Sequence, residues 1–379
     1  MTRLLYYSTL LVLFCFPQIV AAQEIFHHPN IKEPLGAKWE WAFKEAARRE
    51  FTAGFWIGYG IRRLMGEKSQ IGHFSDCYGR YSRSLHELLY GQKEFAEESE
   101  SDDGIRAETL RALERKEQQG KGPMLVKGVA ILFACTHSSS GGSRVSKVRI
   151  SNLSLPVDLA ERPLLWLGNA GEEESVALLE RMFTDVPTTK LKESVLFAIS
   201  IHDSSRQAAE FLRRQLKESE EERIRGGSAA WIGLRGQAED LKLLVEAATT
   251  DISRHVREQA LFGLSQMPLE EATDALIDLI RNGSTREVRS RAISWLSQRA
   301  SQKVLPMLNE IVTSDAETGL QKEAVFALSR MKDGRGVKDL IVIARTHKNL
   351  EVRRQAIFWL GQTEDQQALD ALMEMVRGR

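Results

Sequence analysis

The sequence has few cysteines, few prolines and no excess charge of either sign. Of its 379 residues only 3 are Cys and 9 are Pro, and 52 Lys and Arg residues balance 52 Asp and Glu residues. The first two counts exclude a disulfide-rich miniprotein and a proline-rich disordered chain. The charge balance gives no positive field of the kind that attracts nucleic acid or an anionic membrane. We therefore expect a folded protein without a nucleic acid partner.

Apolar runs long enough to cross a membrane are also lacking. The amino-terminal apolar stretch from Leu4 to Phe16 falls short of the roughly 20 residues that a spanning helix needs. It follows Arg3 and precedes a proline and two small residues that end at Ala22. This order is typical of a secretory signal peptide over residues 1–22, cleaved after Ala22. The sequence predicts an exported protein, periplasmic or extracellular, with no membrane span after cleavage; an uncleaved anchor is the alternative.

What the sequence does have is an internal repeat. Aliphatic residues recur every 32 or 33 positions, and a second apolar stripe follows each of them after a short turn. Two apolar stripes at helical spacing predict a helical hairpin, which buries its apolar surface only by stacking on its neighbours. We therefore predict a mainly α fold, an α-solenoid of about seven hairpins over residues 156–379. The anchoring residues are Leu167, Ile199, Ile232, Leu264, Leu296, Leu328 and Leu360.

The residue before each anchor alternates between large and small. Trp295, for example, stands between Gly263 and Ala327 in this series. The alternation predicts that each Trp packs into the space that a small residue leaves in the neighbouring repeat. An aromatic platform for a ligand is the alternative. The series is Trp166, Ala198, Trp231, Gly263, Trp295, Ala327 and Trp359.

A basic residue precedes most anchors by seven positions, as in Arg257, Arg289 and Arg353. A guanidinium there can donate to the carbonyls of a neighbouring turn or to an acid of the adjacent repeat. We therefore predict a structural ladder of arginines. An anion-binding row is the alternative, which the near-zero net charge does not support.

The first-helix segments Val256–Leu264 and Val352–Gly361 resemble HEAT repeats. They are similar in particular to the short bacterial repeats of phycobilisome bilin lyases. The resemblance implies a HEAT-like α-solenoid that acts as a scaffold or adaptor. Its alternative implication is a lyase or chaperone-lyase subunit, although a bilin lyase would need a cytoplasmic substrate that an exported chain does not meet.

Residues 23–155 differ in kind from the repeats. Residues 36–51 show helical spacing, and residues 54–61 alternate glycine with aromatic and β-branched residues, which is typical of a strand. Residues 124–135 and 145–155 read as two strands around a Ser- and Gly-rich turn, which predicts a β-hairpin. We expect a small α+β domain, whose role the sequence does not reveal.

Two cysteines and two histidines of this domain form the one constellation with possible chemistry: His73, Cys77, Cys135 and His137. Thiolates and imidazoles are zinc ligands, so the set is a weak candidate for a metal site. In an exported chain two cysteines more often form a disulfide, here Cys77 with Cys135. Free thiols, and with them a redox or metal sensor, remain a third interpretation.

The position fourteen residues after each anchor is predicted to lie on the exposed side of the second helix. If this row lines a groove, its basic first end favours acidic partner segments and its later end basic ones. A solvated face without a partner is the alternative. The candidate partner-binding residues are Arg181, Arg213, Glu246, Asp278, Glu310 and Glu374, with Val342 interrupting the charged row.

Catalytic patterns are missing from the sequence. The segment His86–Tyr90 begins like a zinc protease helix but has Tyr where the second His ligand must stand. There is no phosphate loop, dinucleotide fingerprint or nucleophile elbow. We therefore predict a non-catalytic protein without a cofactor, an interaction scaffold or adaptor of the cell envelope with a protein partner.

Overall fold

The structure is a computed structural model that describes residues 23–72, 83–91, 124–137, 143–283, 285–331 and 334–378. The predicted signal peptide with Ala22 lies outside these residues, as do His73 and Cys77. Within them, a small region of strands and helices precedes a long array of helices. The predicted mainly α fold, with an α+β region before a helical solenoid, is confirmed.

The amino-terminal region is built around a five-stranded sheet with the order β1-β5-β2-β3-β4. Strands β1 and β2 flank β5 in parallel, whereas β3 pairs in antiparallel fashion with β2 on one side and with β4 on the other. The strand over 54–61 and the β-hairpin are thus confirmed. The strands are β1 Ile25–His27, β2 Phe55–Gly66, β3 Met124–His137, β4 Ser143–Asn152 and β5 Leu164–Asn169.

The sheet is buried on both faces. One face packs under helix α1 (Leu35–Arg48), where Trp39 meets Phe133 edge-on with 5.1 Å between ring centres. The other face carries Trp56 and Trp166, covered by helix α2 (Leu85–Tyr90) and the segment after β4. Burial on both faces suits the nearly continuous apolar character of β2 and β3.

The helical array consists of α3 followed by six complete hairpins within the described chain, the first being α4–α5 and the last α14–α15. Side-chain caps begin several helices: the hydroxyl of Thr188 accepts from the backbone of Leu191, and that of Ser205 from Ala208. The helices are α3 Glu172–Asp185, α4 Thr189–Ser200, α5 Arg206–Glu218, α6 Glu222–Arg235, α7 Leu241–Thr250, α8 Arg254–Gln266, α9 Glu270–Asn282, α10 Arg286–Leu296, α11 Val304–Ser314, α12 Thr318–Ser329, α13 Val337–Thr346, α14 Leu350–Leu360 and α15 Gln366–Val376.

The predicted first hairpin was wrong in its first half. Leu167 lies in strand β5 of the sheet, not in a helix, so α3 has no first-helix partner. The run Leu164–Leu167 is fully buried, follows a proline and ends at Gly168, whose φ of 82° suits glycine. A short apolar run of this kind fits a buried strand as well as a helix, and pairing with β1 and β2 decides between them.

Aromatic pairs lie at every second interface between neighbouring repeats. Trp231 stacks on Phe197 with ring centres 5.0 Å apart, and Trp295 lies 5.2 Å from Phe262. Trp359 repeats the contact with the phenylalanine of α12 at 4.7 Å. Three of the four Trp residues thus pack between repeats as predicted, but each contacts the Phe beside the small residue of the preceding repeat. Because these three indoles are half-buried, they lie at the edge of the core. For Trp166 the prediction was wrong, because this residue lies in strand β5 and packs in the sheet.

Candidate partner-binding face

The second helices α3, α5, α7, α9, α11, α13 and α15 carry the predicted row of charged residues. In the structure the row faces solvent almost throughout. Only Arg213 is half-buried. The exposed members are Arg181, Glu246, Asp278, Glu310, Val342 and Glu374.

At the basic end of this row, Arg213 is held by neighbouring acids. Its guanidinium donates to the nearly buried carboxylate of Asp240 and to Glu239, both just ahead of α7. The hydrogen bond to Asp240 raises the pKa of the Arg213 guanidinium. The ion pairs of Arg213 therefore stabilise the contact between two repeats. Arg181 is then the exposed basic residue of the row.

Two acids of the row are also paired. Arg281 Nη2 lies 2.6 Å from Glu310 Oε2, and Arg345 pairs with Glu374 in the same way. Each pair joins the second helices of adjacent repeats in an exposed setting, where such pairs add little stability. Glu246 and Asp278, by contrast, form no ion pair within the described part of the chain. The most open negative charge of the row therefore lies on α7 and α9.

Open grooves run between these second helices. The groove between α9 and α11 has an apolar floor that includes Ile277 and Met307, with Asp274, Asp278 and Lys303 at its rim. A second groove lies between α7 and α9 and shares Asp278. An apolar floor with a charged rim is the usual composition of a surface that binds a polypeptide segment. The contribution of the row to binding stays a prediction.

The arginine ladder is confirmed as a structural device. Arg225 donates to the carbonyls of Ser219 and Glu220 and forms a forked ion pair with Asp251. Arg257, Arg289 and Arg353 likewise donate to carbonyls of the turn before their own helix or of the preceding helix. These bonds satisfy carbonyls that a helix end leaves without an intrahelical partner.

A buried polar chain joins the sheet to the repeats, and no pattern in the sequence indicated it. The hydroxyls of Tyr59 on β2 and Ser175 on α3 lie 2.8 Å apart, and His202 Nε2 lies 2.8 Å from the same serine oxygen. All three side chains are fully buried. Burial raises the pKa of Tyr59 and lowers that of His202 to about 4. Because the Ser175 hydroxyl is closed to solvent, we assign these hydrogen bonds a structural role.

Charged groups surround this junction. Arg63 on β2 forms a forked ion pair with Asp203, with Nη2 3.0 Å from Oδ2. Arg235 at the end of α6 donates to the backbone carbonyls of His202, Asp203 and Ser205. The turn after α4 is thereby tied to both the sheet and the next hairpin.

The cysteine and histidine constellation is only partly within the described residues. Cys135 lies on β3, fully buried, and burial raises the pKa of its thiol. His73 and Cys77 lie outside the described residues, as does the side chain of His137. The described residues contain no group of three or more metal-ligating side chains. The Cys77–Cys135 disulfide, the metal site and the free thiols therefore remain alternative predictions.

Comparisons with known proteins agree with this architecture. The HEAT repeat family matches residues 241–329 and 305–378. No curated protein is similar enough in sequence to count as a match. In the part of the chain that the structure describes, no helix is long and apolar enough to span a bilayer.

Two solved structures are similar to parts of the chain. The complex of CpcE and CpcF of phycocyanin lyase from Nostoc sp. PCC7120 is 20% identical, with a TM-score of 0.31, over 40% of this chain and 97% of that one. Human deoxyhypusine hydroxylase in complex with glycerol is 18% identical, with a TM-score of 0.24, over 53% of this chain and 77% of that one. Similarities of this size carry no argument about activity. The stacked hairpins and the family match together show that residues 241–378 form HEAT repeats.

Proposed function

We propose that the protein is a non-catalytic scaffold or adaptor that holds a protein partner against its second helices. The observation that carries this proposal is the groove between α9 and α11, whose apolar floor is bordered by the unpaired Asp278 and by Asp274 in an ion pair with Lys303. Stacked repeats offer such extended surfaces to partners, and HEAT repeats are generally used in this way.

The charges of this face favour a partner with a basic segment. Glu246 and Asp278 are exposed, and Glu310 forms an ion pair only with the exposed Arg281. At the edge of an apolar groove, such acids steer a basic segment and set its register. Arg213 is already bound to Asp240, so we no longer expect that residue to attract an acidic partner.

We propose the cell envelope as the setting, because the first 22 residues have the order of a secretory signal. Export would bring the groove into contact with envelope proteins. The lyase alternative rests only on the resemblance of the repeats, and no contact in the described residues favours it over a scaffold.

The test is an affinity capture from envelope extract with residues 23–379, read by mass spectrometry. The variant Glu246→Lys, Asp278→Lys, Glu310→Lys reverses the charge of the face. A matched control, Glu40→Lys, Glu220→Lys, Glu364→Lys, reverses three exposed acids elsewhere. The wild type and the control should retain one salt-sensitive partner.

The charge-reversed variant should lose that partner by roughly tenfold or more in affinity, measured by titration of the purified pair. Equal retention by all three proteins would place the site away from this face. A coloured capture with the absorption of a tetrapyrrole would instead support the lyase alternative. Fractionation with an antibody to the chain tests the proposed envelope location separately.

A further inference from the structure

Two grooves lie side by side on the face of the second helices, one on each side of α9. The floor of the groove between α9 and α11 includes Ile277 and Met307. The groove between α7 and α9 has Val245 and Ala275, both half-buried, along its floor. Each groove can therefore take one apolar side chain from a segment that crosses α9.

The distance between the two grooves sets the spacing of the side chains that can fill both. Neighbouring packed helices lie roughly 10 Å apart, so grooves on the two sides of one helix are separated by about the same distance. In a polyproline II segment, residues i and i+3 point to the same side and lie about 9.3 Å apart. In a β-strand, residues that share a side lie about 6.6 Å or about 13 Å apart. The spacing therefore favours polyproline II geometry over a β-strand.

Ion pairs bridge the groove between α9 and α11 at two places. Arg281 Nη2 on α9 lies 2.6 Å from Glu310 Oε2 on α11. Seven residues before Arg281, Asp274 of α9 pairs with Lys303, which immediately precedes α11. Seven residues span about 10.5 Å along a helix, and the bridging side chains themselves fill part of that length.

The opening between these bridges admits an extended chain more readily than a helix. A helix with its side chains is roughly 10–12 Å wide, so it would have to displace at least one of the two ion pairs. An extended chain needs only about 5 Å, which is the distance between strands in a sheet. An extended segment can therefore pass between the bridges while both stay closed.

Asp278 lies between the two grooves and borders both of them. Its carboxylate is exposed and forms no ion pair among the described side chains. Glu246 occupies the corresponding position on α7 and is equally open. A lysine or arginine between the two apolar residues of a bound segment would meet this charge above α9.

We infer that the protein binds an extended segment that crosses α9, with apolar side chains at positions i and i+3 and a lysine or arginine between them. One apolar side chain enters each groove, and the basic side chain pairs with Asp278. The inference rests on the proposed function, to which it adds the conformation and the residue spacing of the bound segment.

The probe is a synthetic peptide with the sequence Gly-Pro-Leu-Pro-Lys-Leu-Pro-Gly and a fluorophore at one end. Its prolines favour polyproline II geometry before binding, which lowers the cost of ordering the peptide. A shifted peptide, Gly-Pro-Leu-Pro-Lys-Pro-Leu-Gly, has the same composition with the leucines four positions apart. A third peptide has glutamate in place of lysine. A fourth is a stapled helix with leucines at i and i+7 and lysine at i+4.

Binding of the four peptides to residues 23–379 is measured by fluorescence anisotropy. The first peptide should bind about tenfold more tightly than each of the others, and salt should weaken its binding. Asp278→Lys should lower its affinity about tenfold. The matched control Glu40→Lys reverses an exposed acid on α1 and should bind the peptide like the wild type. Because both residues are exposed, both variants should melt with the wild type.

Equal affinity for the first and the shifted peptide would overturn the inference, as would tighter binding of the helix or no binding of any peptide. These outcomes are separable from failure of the proposed function. A captured envelope partner that is lost on charge reversal, together with peptides that show no preference, would support the scaffold and contradict the extended segment. Preference for the first peptide without any captured partner would support the segment and contradict the scaffold.

Discussion

His202 shows how one buried side chain joins two parts of the molecule. Its ring lies 2.8 Å from the Ser175 hydroxyl, which also meets Tyr59 of the sheet. Burial is the largest cause of its lowered pKa, about 4, which nearby backbone groups and Asp203 only partly counteract, while Arg63 lowers it further. A protonated imidazole at this position would be a buried charge beside the guanidinium of Arg63.

The folded state should therefore be less stable in mild acid. The unfolded chain binds a proton at His202 near pH 6.5, whereas the folded chain does so only near pH 4. The contribution of His202 to the free energy of unfolding is about 3 kcal/mol. It is fully present above pH 6.5 and is lost as the pH falls towards 4. Urea denaturation between pH 7.5 and 4 should show the slope, and His202→Asn should flatten it.

The control for that measurement is His255→Asn, an exposed histidine on α8. The control protein should keep the slope of the wild type. A slope that is the same in wild type and His202→Asn would show that other groups carry the acid sensitivity.

At the scale of the helices, α6 and α8 come into direct backbone contact. A Cβ added to Gly233 on α6 would lie 2.2 Å from the Cα of Gly263 on α8, so two backbones meet without side chains between them. Only glycine allows such an approach. The two helices begin the second and third complete hairpins, α6–α7 and α8–α9. Gly263 is one of the small residues that alternate with Trp in the sequence.

Gly233→Ala should push α6 and α8 apart. The better helix propensity of alanine contributes up to about 1 kcal/mol, but the overlap with backbone atoms costs more. We expect a net loss of about 1–3 kcal/mol in the free energy of unfolding, measured with urea. Gly361→Ala is the matched control, because its Cβ would make only ordinary contacts, and its stability should stay within about 0.5 kcal/mol of the wild type.

At the scale of the whole molecule, the sheet and the repeats share one apolar core. Helix α3 packs against α1, and α4 packs against β4. Val176, Val195 and Ile199 belong to the same buried cluster as Phe133 of the sheet. The sheet therefore takes the place of a capping repeat at the start of the array.

A chain that begins at Glu172 should consequently be unstable. Without the sheet, the apolar sides of α3 and α4 are exposed, so we expect a fall of at least roughly 5–10 °C in the midpoint of thermal unfolding and strong binding of an apolar dye. Calorimetry of this fragment beside residues 23–379 makes the comparison. A fragment that melts with the full chain and leaves the dye unbound would show that the repeats fold independently of the sheet.

The sequence by itself determined the repeat period, the helical hairpins, the β-hairpin and the roles of the ladder arginines. These features depend on residues that lie close together in the chain or recur at a constant spacing, which are local signals. Whether Leu164–Leu167 forms a helix or a strand was decided by pairing with β1 and β2, which are distant in sequence. Tertiary structure alone also decided that Arg213 is bound to Asp240, and that Tyr59, Ser175 and His202 meet. Long-range contacts of this kind leave no periodic trace in the chain, because each is made once.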